Sequence, residues 1–571
     1  MNNTTPFHSR IRIVAGAFFV FACILAAKLF LVQVVHSSSY ADRADKQYAT
    51  PIGDMFERGS IFFANRDGTL VAAGTVMTGF KIAINSKNVV DAESLYTYLS
   101  SYTKLTHDEF IAKVTKKNDP YEEVATHLSK EVADSITLLK IPGVSIYKEK
   151  WRFYPGDSLA SHTLGFVAYK GDDRIGQYGL EKSYNNILSK PANEAYINFF
   201  AEVFSNIGKS FSGEKNGDIV TTIDPAVQHM LEEEMRKTFT EWNADQMGAI
   251  IMDPKTGEIY AMADMPDFNL NDFQNVKNPY LYSNPLVENV FEFGSVIKPL
   301  VMESALDAGV ITPETTYFDG GKVIVDGKPI NNFDLKGRGN VNMQTVLDQS
   351  LNTGMVFVEN KLGHDKFREY MKAFEIGKKT GIDVPNETVG LIKNLESPRN
   401  LEYANAAFGQ GIALTPFEAI KAFSSLGNGG ILVTPHLVKE IKYDDGTSKT
   451  LEWPTGKNGI TKPEVSGDTI TRMLVNVFDK AYGEGKYKFD HYSVATKTGT
   501  AQVAKENGKG YYEDRHMHSF FGYFPAYDPK FIVFMYLKNP KQIKYASQTL
   551  IPPFVNITKF LINYYNLPPD R

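Results

Sequence analysis

The stretch "FEFGSVIKPL", residues 291–300, places a serine three positions before a lysine, with a glycine ahead of the serine and a proline directly after the lysine. It opens a helical pattern that continues to residue 309, so Ser295 and Lys298 fall on one face of a helix start, where their side chains can touch. Pro299 has no N–H with which to bond the Ser295 carbonyl. We therefore predict a tight or slightly irregular turn from Ser295 to Lys298, which a regular helix beginning at Ser295 would contradict.

This Ser-x-x-Lys pattern is one of three short motifs that each recur in the chain. The occurrences include Ser-x-x-Lys at Ser101, Ser145, Ser212 and Ser295, Ser-x-Asn at Ser86, Ser183 and Ser350, and Lys-Thr-Gly at Lys255 and Lys497. A turn of the type Asp-Pro-Lys-Thr-Gly explains Lys255. Lys497 instead lies in the extended run "HYSVATKTGTAQVA", where a strand glycine indicates close approach of a backbone or a ligand. Context therefore favours Ser295, Ser350 and Lys497 as one set, and we interpret the Ser-x-x-Lys matches at Ser101, Ser145 and Ser212 as surface sequence.

The overall composition indicates a packed globular protein. The 571 residues are 43 % hydrophobic and 22 % charged, and suffice for about three or four domains. The net charge of -5 gives no electrostatic reason to expect nucleic acid as a partner. The single cysteine excludes an intrachain disulfide and a cysteine-based zinc site.

An apolar segment, residues 13–35, differs from this soluble pattern. Its 23 residues, at about 1.5 Å each, exceed a hydrocarbon core of about 30 Å. Residues 1–12 carry two arginines and no acidic residue, which predicts a cytoplasmic tail, an uncleaved transmembrane anchor and export of the remainder. A cleaved signal peptide is the alternative. Lys28 either reaches the outer interface or pairs with another membrane protein.

Two modules follow the anchor. Residues 36–216 mix alternating runs such as "FKIAI" and "AYINFF" with helical stretches such as "DEFIAKVTKK", which predicts a structural α+β module. Residues 217–571 contain an Asp-Pro helix start in "TTIDPAVQHMLEEEM", a hairpin in "GAIIMDPKTGEIYAMAD", strands such as "FIVFMYL" and helices such as "PFEAIKAFSSL". This pattern is typical of a sheet covered by helices. We expect the boundary near residue 216.

Other catalytic motifs are absent or incomplete. The sequence contains no GxSxG elbow, HExxH zinc helix or dinucleotide-binding GxGxxG. The segment "IGKS" ends like a phosphate-binding loop, but the required upstream glycine is Val203. We interpret His516 and His518 as polar loop residues, because two histidines without acidic or cysteine partners rarely form a metal site. No metal or cofactor is predicted.

The three favoured motifs stand in a recognisable order: "GSVIKP", "SLN" and "KTGTAQ". With "RGSIFFANRDG", "YPGDSLASHTLGF", "GQYGLEKSYNNIL", "TTIDPAVQ" and "FGQGIALTP", they make almost the whole of residues 58–571 resemble the class B penicillin-binding proteins, in particular the division-associated type. Two departures are Phe293-Gly294, where Pro-Gly is usual, and Val296-Ile297, where Thr-Phe is common. They leave the reacting groups in place but affect how the nucleophile's turn is held.

The resemblance implies a peptidoglycan D,D-transpeptidase that works through a serine acyl-enzyme and is inhibited by β-lactams. It implies an α+β penicillin-binding transpeptidase fold, an antiparallel sheet flanked by helices, on an elongated α+β pedestal. The site residues that it implies are the nucleophile Ser295, the base Lys298, the relay and orienting pair Ser350 and Asn352, the carboxylate-binding set Lys497, Thr498, Gly499 and Thr500, and an oxyanion hole of the Ser295 and Thr500 backbone N–H groups. Lys298 must be neutral to act as base, and burial and the charge of Lys497 are the causes available to lower its pKa.

The same resemblance implies surroundings and partners. These are D-Ala-D-Ala stem peptides, a membrane-embedded glycosyltransferase and other division proteins, on the outer side of the inner (plasma) membrane. The alternatives are an elongation-type transpeptidase, a D,D-carboxypeptidase, a β-lactamase-like hydrolase and, from another class, a non-catalytic division scaffold. The anchor and the long exported module favour the transpeptidase, and the intact serine and lysines argue against the scaffold.

Overall fold

The computed structural model describes residues 56–116, 120–171, 173–190, 215–482, 486–505 and 510–571, with isolated positions between 16 and 28. The predicted tail, most of the predicted anchor and the run "AYINFF" lie outside these residues. Within the part that is described, no helix combines the length and the apolar character needed to cross a bilayer.

The described residues fall into two compact units. One contains residues 76–116 and 120–151, and the other contains residues 58–75, 152–171, 173–190 and 215–571 apart from its short gaps. The predicted division near residue 216 stays a prediction.

The first unit packs three helices on a small sheet. Residues Phe80 to Ile84 of the strand Leu70–Ile84 pair antiparallel with the strand Glu122–Leu128. The helices are Ala92–Leu99, His107–Val114 and Lys130–Leu139, and the first two begin at the side-chain caps Asp91 and Thr106. A separate apolar core that includes Ile82, Leu99 and Phe110 holds this unit together.

The second unit is built on a five-stranded antiparallel sheet, as the resemblance implied. Its strands, in spatial order, are Ala495–Ala504, Tyr511–Phe524, Phe531–Lys538, Gln246–Met252 and Ile259–Met265. The last two form the predicted hairpin, and Asp253 accepts backbone N–H bonds within its turn. The turn, rather than chemistry, therefore accounts for Lys255.

Helices cover both faces of this sheet. Neighbouring strand residues point to opposite faces, and Phe520 packs on Phe554 at 4.6 Å whereas Phe521 stacks on Phe423 at 4.4 Å between ring centroids. The helices Pro225–Glu241 and Ile551–Tyr565 pack together on the first face. The helices Pro416–Ser424, Thr471–Asn476 and Lys298–Asp307 belong to the second side, which carries the three motifs.

Smaller elements complete the second unit. The strand Ile61–Ala64 pairs parallel with Gly217–Thr221, which pairs antiparallel with Val438–Tyr443 and, beyond it, Ser448–Thr450. Two antiparallel pairs lie ahead of three helices in the chain. Thr316–Asp319 pairs with Gly339–Asn342, and between them Lys322–Val325 pairs with Lys328–Asn331. The helices are Met343–Asp348, Asn352–Leu362 and His364–Ala373.

Candidate active site

The turn that carries Ser295, the predicted nucleophile, is irregular, as Pro299 predicts. Gly294–Ile297 forms a 3₁₀ turn, in which the Lys298 N–H bonds the Ser295 carbonyl three residues back. The α-helix Lys298–Asp307 begins only after this turn. The prediction of an irregular start is confirmed, and Ser295 lies in the tight turn immediately before the helix.

Two glycines allow other segments to approach this turn closely. Gly294 has φ +65°, and its N–H bonds the carbonyl of Gly409 at 3.1 Å. A Cβ atom added at Gly409 would lie 2.1 Å from the Gly294 carbonyl oxygen. At Gly499 of the motif strand, an added Cβ would lie 2.4 Å from the Phe293 oxygen and 3.1 Å from the Val296 nitrogen. The predicted close approach at Gly499 is confirmed, and its partner is the nucleophile's turn.

The two departures from the family pattern are absorbed by packing. Phe293, Val296 and Ile297 are fully buried. The Phe293 ring lies edge-on to Phe534, with 5.0 Å between centroids, and its carbonyl accepts a 2.6 Å bond from the Ser519 hydroxyl. A core side chain and a strand hydroxyl thus hold the turn where a proline is usual.

Lys298 is the most completely enclosed of the predicted site residues. Its side chain is fully buried, and its Nζ donates to the Ser350 carbonyl at 2.7 Å, the Ser350 Oγ at 3.2 Å and the Asn352 Oδ1 at 2.8 Å. Burial, followed by the neighbouring Lys497 ammonium, lowers the pKa of Lys298 well below its usual value. Both causes expected from the sequence therefore act on this lysine.

Lys497 approaches the same serine from the strand Ala495–Ala504. Its Nζ donates to the Ser350 Oγ and to the Thr498 carbonyl, both at 3.0 Å. Burial lowers the pKa of Lys497 to about 7, and the negative charge of Asp348 opposes that change. One hydroxyl, that of Ser350, therefore receives both motif lysines.

A left-handed backbone conformation positions Ser350, and a hydrogen bond to a backbone carbonyl orients Asn352. Ser350 has φ +52° and stands between the helices Met343–Asp348 and Asn352–Leu362. The Asn352 Nδ2 donates to the Asn331 carbonyl at 2.9 Å, which turns the Asn352 Oδ1 toward Lys298. Among the residues described, the Ser295 hydroxyl has no hydrogen-bond partner, so the contact expected between Ser295 and Lys298 is not a hydrogen bond in this structure.

Most of the predicted site residues line a cleft with a volume of about 600 Å³. Ser295, Ser350, Asn352, Lys497, Thr498 and Thr500 all line it. The N–H of Thr498 donates to the hydroxyl of Tyr482 at 2.7 Å, and the two side-chain oxygens are 3.2 Å apart. Sequence reasoning missed Tyr482, since no local pattern around it signals a contact with a strand 16 residues later.

The interpretation of His516 and His518 as loop residues is wrong. Both lie in the strand Tyr511–Phe524, and His518 is fully buried, with its ring nitrogens 2.9 Å from Thr549 Oγ1 and 3.0 Å from the Lys544 carbonyl. From Met517 onward every residue of this strand is buried, so His518 lies inside whereas His516, on the same strand face, is only partly buried. The polar sequence around the two histidines concealed the strand. In the part of the chain that the structure describes, no group of three or more potential metal ligands is present.

Comparison with known proteins agrees with this geometry. Residues 247–558 match the family described as "Penicillin binding protein transpeptidase domain". Residues 56–199 match the family described as "Penicillin-binding Protein dimerisation domain". The chain is 31% identical to Stage V sporulation protein D of Bacillus subtilis, covering 93% of this chain and 82% of the relative. It is 24% identical to Peptidoglycan D,D-transpeptidase FtsI of Buchnera aphidicola subsp. Baizongia pistaciae, covering 99% and 96%.

A solved structure gives the same fold. Penicillin binding protein 3 from Mycobacterium tuberculosis, complexed with aztreonam, superposes with a TM-score of 0.68 at 21% identity, covering 90% of this chain and 98% of that one. The sheet, the turn and the paired lysines match the arrangement expected of the class of proteins that have a serine-lysine active site. Within that class, the chain belongs to the class B penicillin-binding proteins.

Proposed function

We propose that the chain is a serine-type peptidoglycan D,D-transpeptidase. The observation that carries the proposal is the meeting of two buried lysines on the Ser350 hydroxyl, in the cleft that Ser295 also lines. A serine hydroxyl is a weak nucleophile and needs a base. A lysine whose pKa is lowered by burial and by a like charge can be that base.

In the first half-reaction, the Ser295 Oγ attacks the carbonyl between the two terminal D-alanines of a stem peptide. The Ser295 proton passes to the neutral Lys298 amine, with Ser350 as the relay. The backbone N–H groups of Ser295 and Thr500 stabilise the oxyanion. The C–N bond then breaks, the proton is returned to the leaving amine, and D-alanine departs from an ester on Ser295.

In the second half-reaction, the amine of another stem peptide attacks this ester. It loses a proton to Lys298, the ester C–O bond breaks, Ser295 regains its hydrogen, and an amide cross-link remains. Lys497, Thr498 and Thr500 hold the donor's terminal carboxylate through charge-assisted and hydroxyl bonds. Gly499, which the sequence predicted to leave room for the substrate, instead makes room for the turn that carries Ser295. Asn352 orients Lys298 and the substrate amide.

The proposal extends to the setting of the enzyme. We place residues 1–12 in the cytoplasm, 13–35 in the inner membrane, 36–216 in a pedestal and 217–571 in an exported transpeptidase domain. Septal synthesis with a membrane-embedded glycosyltransferase is our favoured role, since relatives include FtsI. The aztreonam complex of a structural neighbour supports β-lactams as inhibitors.

A labelled penicillin tests the nucleophile. Wild-type protein should acquire one covalent label, which Ser295→Ala abolishes. The matched control is Ser145→Ala, because Ser145 begins another Ser-x-x-Lys motif on an exposed strand position. Equal labelling of Ser295→Ala and wild type would refute the assignment of Ser295.

Cross-linking separates the remaining reactions. With a lipid-linked disaccharide pentapeptide and a partner glycosyltransferase, a transpeptidase yields dimeric muropeptides. A carboxypeptidase yields tetrapeptide and D-alanine without dimers, and rapid release of hydrolysed penicillin identifies a lactamase. Failure to label at all would favour the scaffold.

A further inference from the structure

Asp348 lines the catalytic cleft two residues before Ser350, at the end of the helix Met343–Asp348. Two side-chain amides fix its carboxylate. The Gln344 Nε2 donates to Oδ1 at 2.8 Å, and the Asn476 Nδ2 lies 3.0 Å from both oxygens. The carboxylate is therefore held in one orientation from two different helices.

The amide donors Gln344 and Asn476 orient the carboxylate of Asp348 but do not neutralise its negative charge. Among the described residues, no cation lies within ion-pair distance of Asp348, and both of its donors are neutral amides. Its charge therefore acts through space on the nearby ammonium groups, Lys480 and Lys497. Of these, Lys480 is exposed and Lys497 is buried. Burial raises the pKa of Asp348, and both lysines oppose that change, Lys480 more than Lys497. Lys497 is the buried one of the two and lines the same cleft as Asp348, where the effect of a charge is larger than in water.

The mechanism needs different charges on two lysines that bind one hydroxyl. Lys298 has to be neutral to accept a proton, and Lys497 has to be charged to hold a carboxylate. Both are buried and both donate to the Ser350 Oγ. Burial alone would discharge either of them, so some third group has to distinguish them. Asp348 acts on Lys497, whereas Lys298 responds to burial and to Lys497 itself.

We propose that Asp348 is a positioning residue that assigns the positive charge of the active site to Lys497 and thereby leaves Lys298 free to serve as base. The proposal rests on the proposed transpeptidase function and adds a residue to it. No local motif contains Asp348.

The other titratable groups among the described residues that line the cleft are Arg338, Tyr482, Glu513, His516, Lys544 and Tyr545. Tyr482 contacts Thr498, and Arg338 forms a bidentate pair with Asp334. Glu513 is the other carboxylate among the described residues that line the cleft; it is exposed and forms no ion pair with either motif lysine. Glu513 is therefore a matched control for loss of one negative charge.

The test is the pH profile of the second-order rate constant for acylation by a labelled penicillin. Raising the pH discharges Lys497 and ends carboxylate binding, which produces the alkaline limb. Asp348→Asn removes the charge that favours the protonated form of Lys497, so its pKa falls and the alkaline limb should move to lower pH by about one unit. On that limb, acylation should fall about tenfold relative to wild type.

Asp348→Glu, which retains the charge, should keep the limb near its wild-type position, and Glu513→Gln should not move it. An unmoved limb in Asp348→Asn, or an equal shift in Glu513→Gln, would overturn the role of Asp348. Absence of acylation in the wild type would overturn the proposed function itself. In Asp348→Asn one oxygen can still accept from both amides. If thermal melting nevertheless shows that this variant is unfolded, Asp348→Ser removes the same charge with a smaller side chain. The position of the alkaline limb of its pH profile then provides the same test.

Discussion

Substitution of Gly409 by alanine tests whether the segment around it positions the nucleophile. An added Cβ would lie 2.1 Å from the Gly294 oxygen, and real Cβ contacts are essentially never closer than 3.0 Å, so one of the two backbones has to move by at least 0.9 Å. Because the Gly294 N–H is bonded to the Gly409 carbonyl and Gly294 directly precedes Ser295, we expect movement at this contact to shift the oxygen of the proposed nucleophile. A displacement of about 1 Å at a reacting group can cost about 100-fold in rate.

The strain of alanine itself has to be separated from this displacement. Gly409 has φ +80°, where an alanine costs about 1–2 kcal/mol. Gly411, in the same loop, has φ +73°, and a Cβ added there meets only the Asn394 Nδ2 at 3.1 Å and the Asn405 Cβ at 4.0 Å. Gly411→Ala therefore introduces comparable backbone strain without contacting the nucleophile's turn.

The assay is the second-order acylation rate constant with a fluorescent penicillin, measured beside thermal melting. Both variants should melt below wild type, but only Gly409→Ala should acylate about 100-fold more slowly. Acylation of Gly409→Ala within threefold of wild type, or equal losses in the two variants, would refute the positioning of Ser295 by this loop.

Two further substitutions probe the strand and the core. Tyr482→Phe removes the hydroxyl that accepts the Thr498 N–H; the loss of about 1 kcal/mol should slow acylation about fivefold, and an unchanged rate constant would show that Tyr482 does not support the strand. Burial raises the pKa of Glu303 to about 8, and its Oε1 accepts from Thr461 at 2.7 Å. Since the folded protein then binds this proton more tightly than the unfolded chain, Glu303 destabilises the fold as pH rises from about 4.5 through 8. Glu303→Gln should therefore raise the melting temperature more at pH 8.5 than at pH 5, and equal effects at both would contradict the raised pKa.

Local chemistry predicted the elements that carry the site. The missing N–H of Pro299 gave the 3₁₀ turn, the Asp224-Pro225 pair gave the start of the helix Pro225–Glu241, and the glycine in "KTGTA" gave the close approach at Gly499. Each of these depends on a residue and its neighbours in the chain, and such effects can be read from sequence.

The parts that the sequence did not reveal depend on contacts between distant segments. Gly409 meets a turn more than 100 residues earlier, and Tyr482 meets Thr498 across a strand edge. Asp348 belongs to no sequence motif, and its proposed role depends on its interactions with Asn476 and Lys497, which are distant in sequence. Hydrophobic periodicity identifies which face of an element is buried, but it does not identify the partner of that face.

The meeting of both lysines on Ser350 also determines which hydrogen bonds its hydroxyl donates and accepts. Of the three oxygens that Lys298 reaches, the Ser350 carbonyl and the Asn352 amide oxygen only accept, whereas the Ser350 hydroxyl also carries a hydrogen. A neutral Lys298 keeps two N–H groups for the two acceptors and has one lone pair left for that hydroxyl. We infer that Ser350 then donates toward Lys298 and accepts from Lys497 and from the cleft. These hydrogen-bond roles make the Ser350 hydroxyl a link between the cleft and the base, through which a proton reaches Lys298 and later returns to the leaving amine.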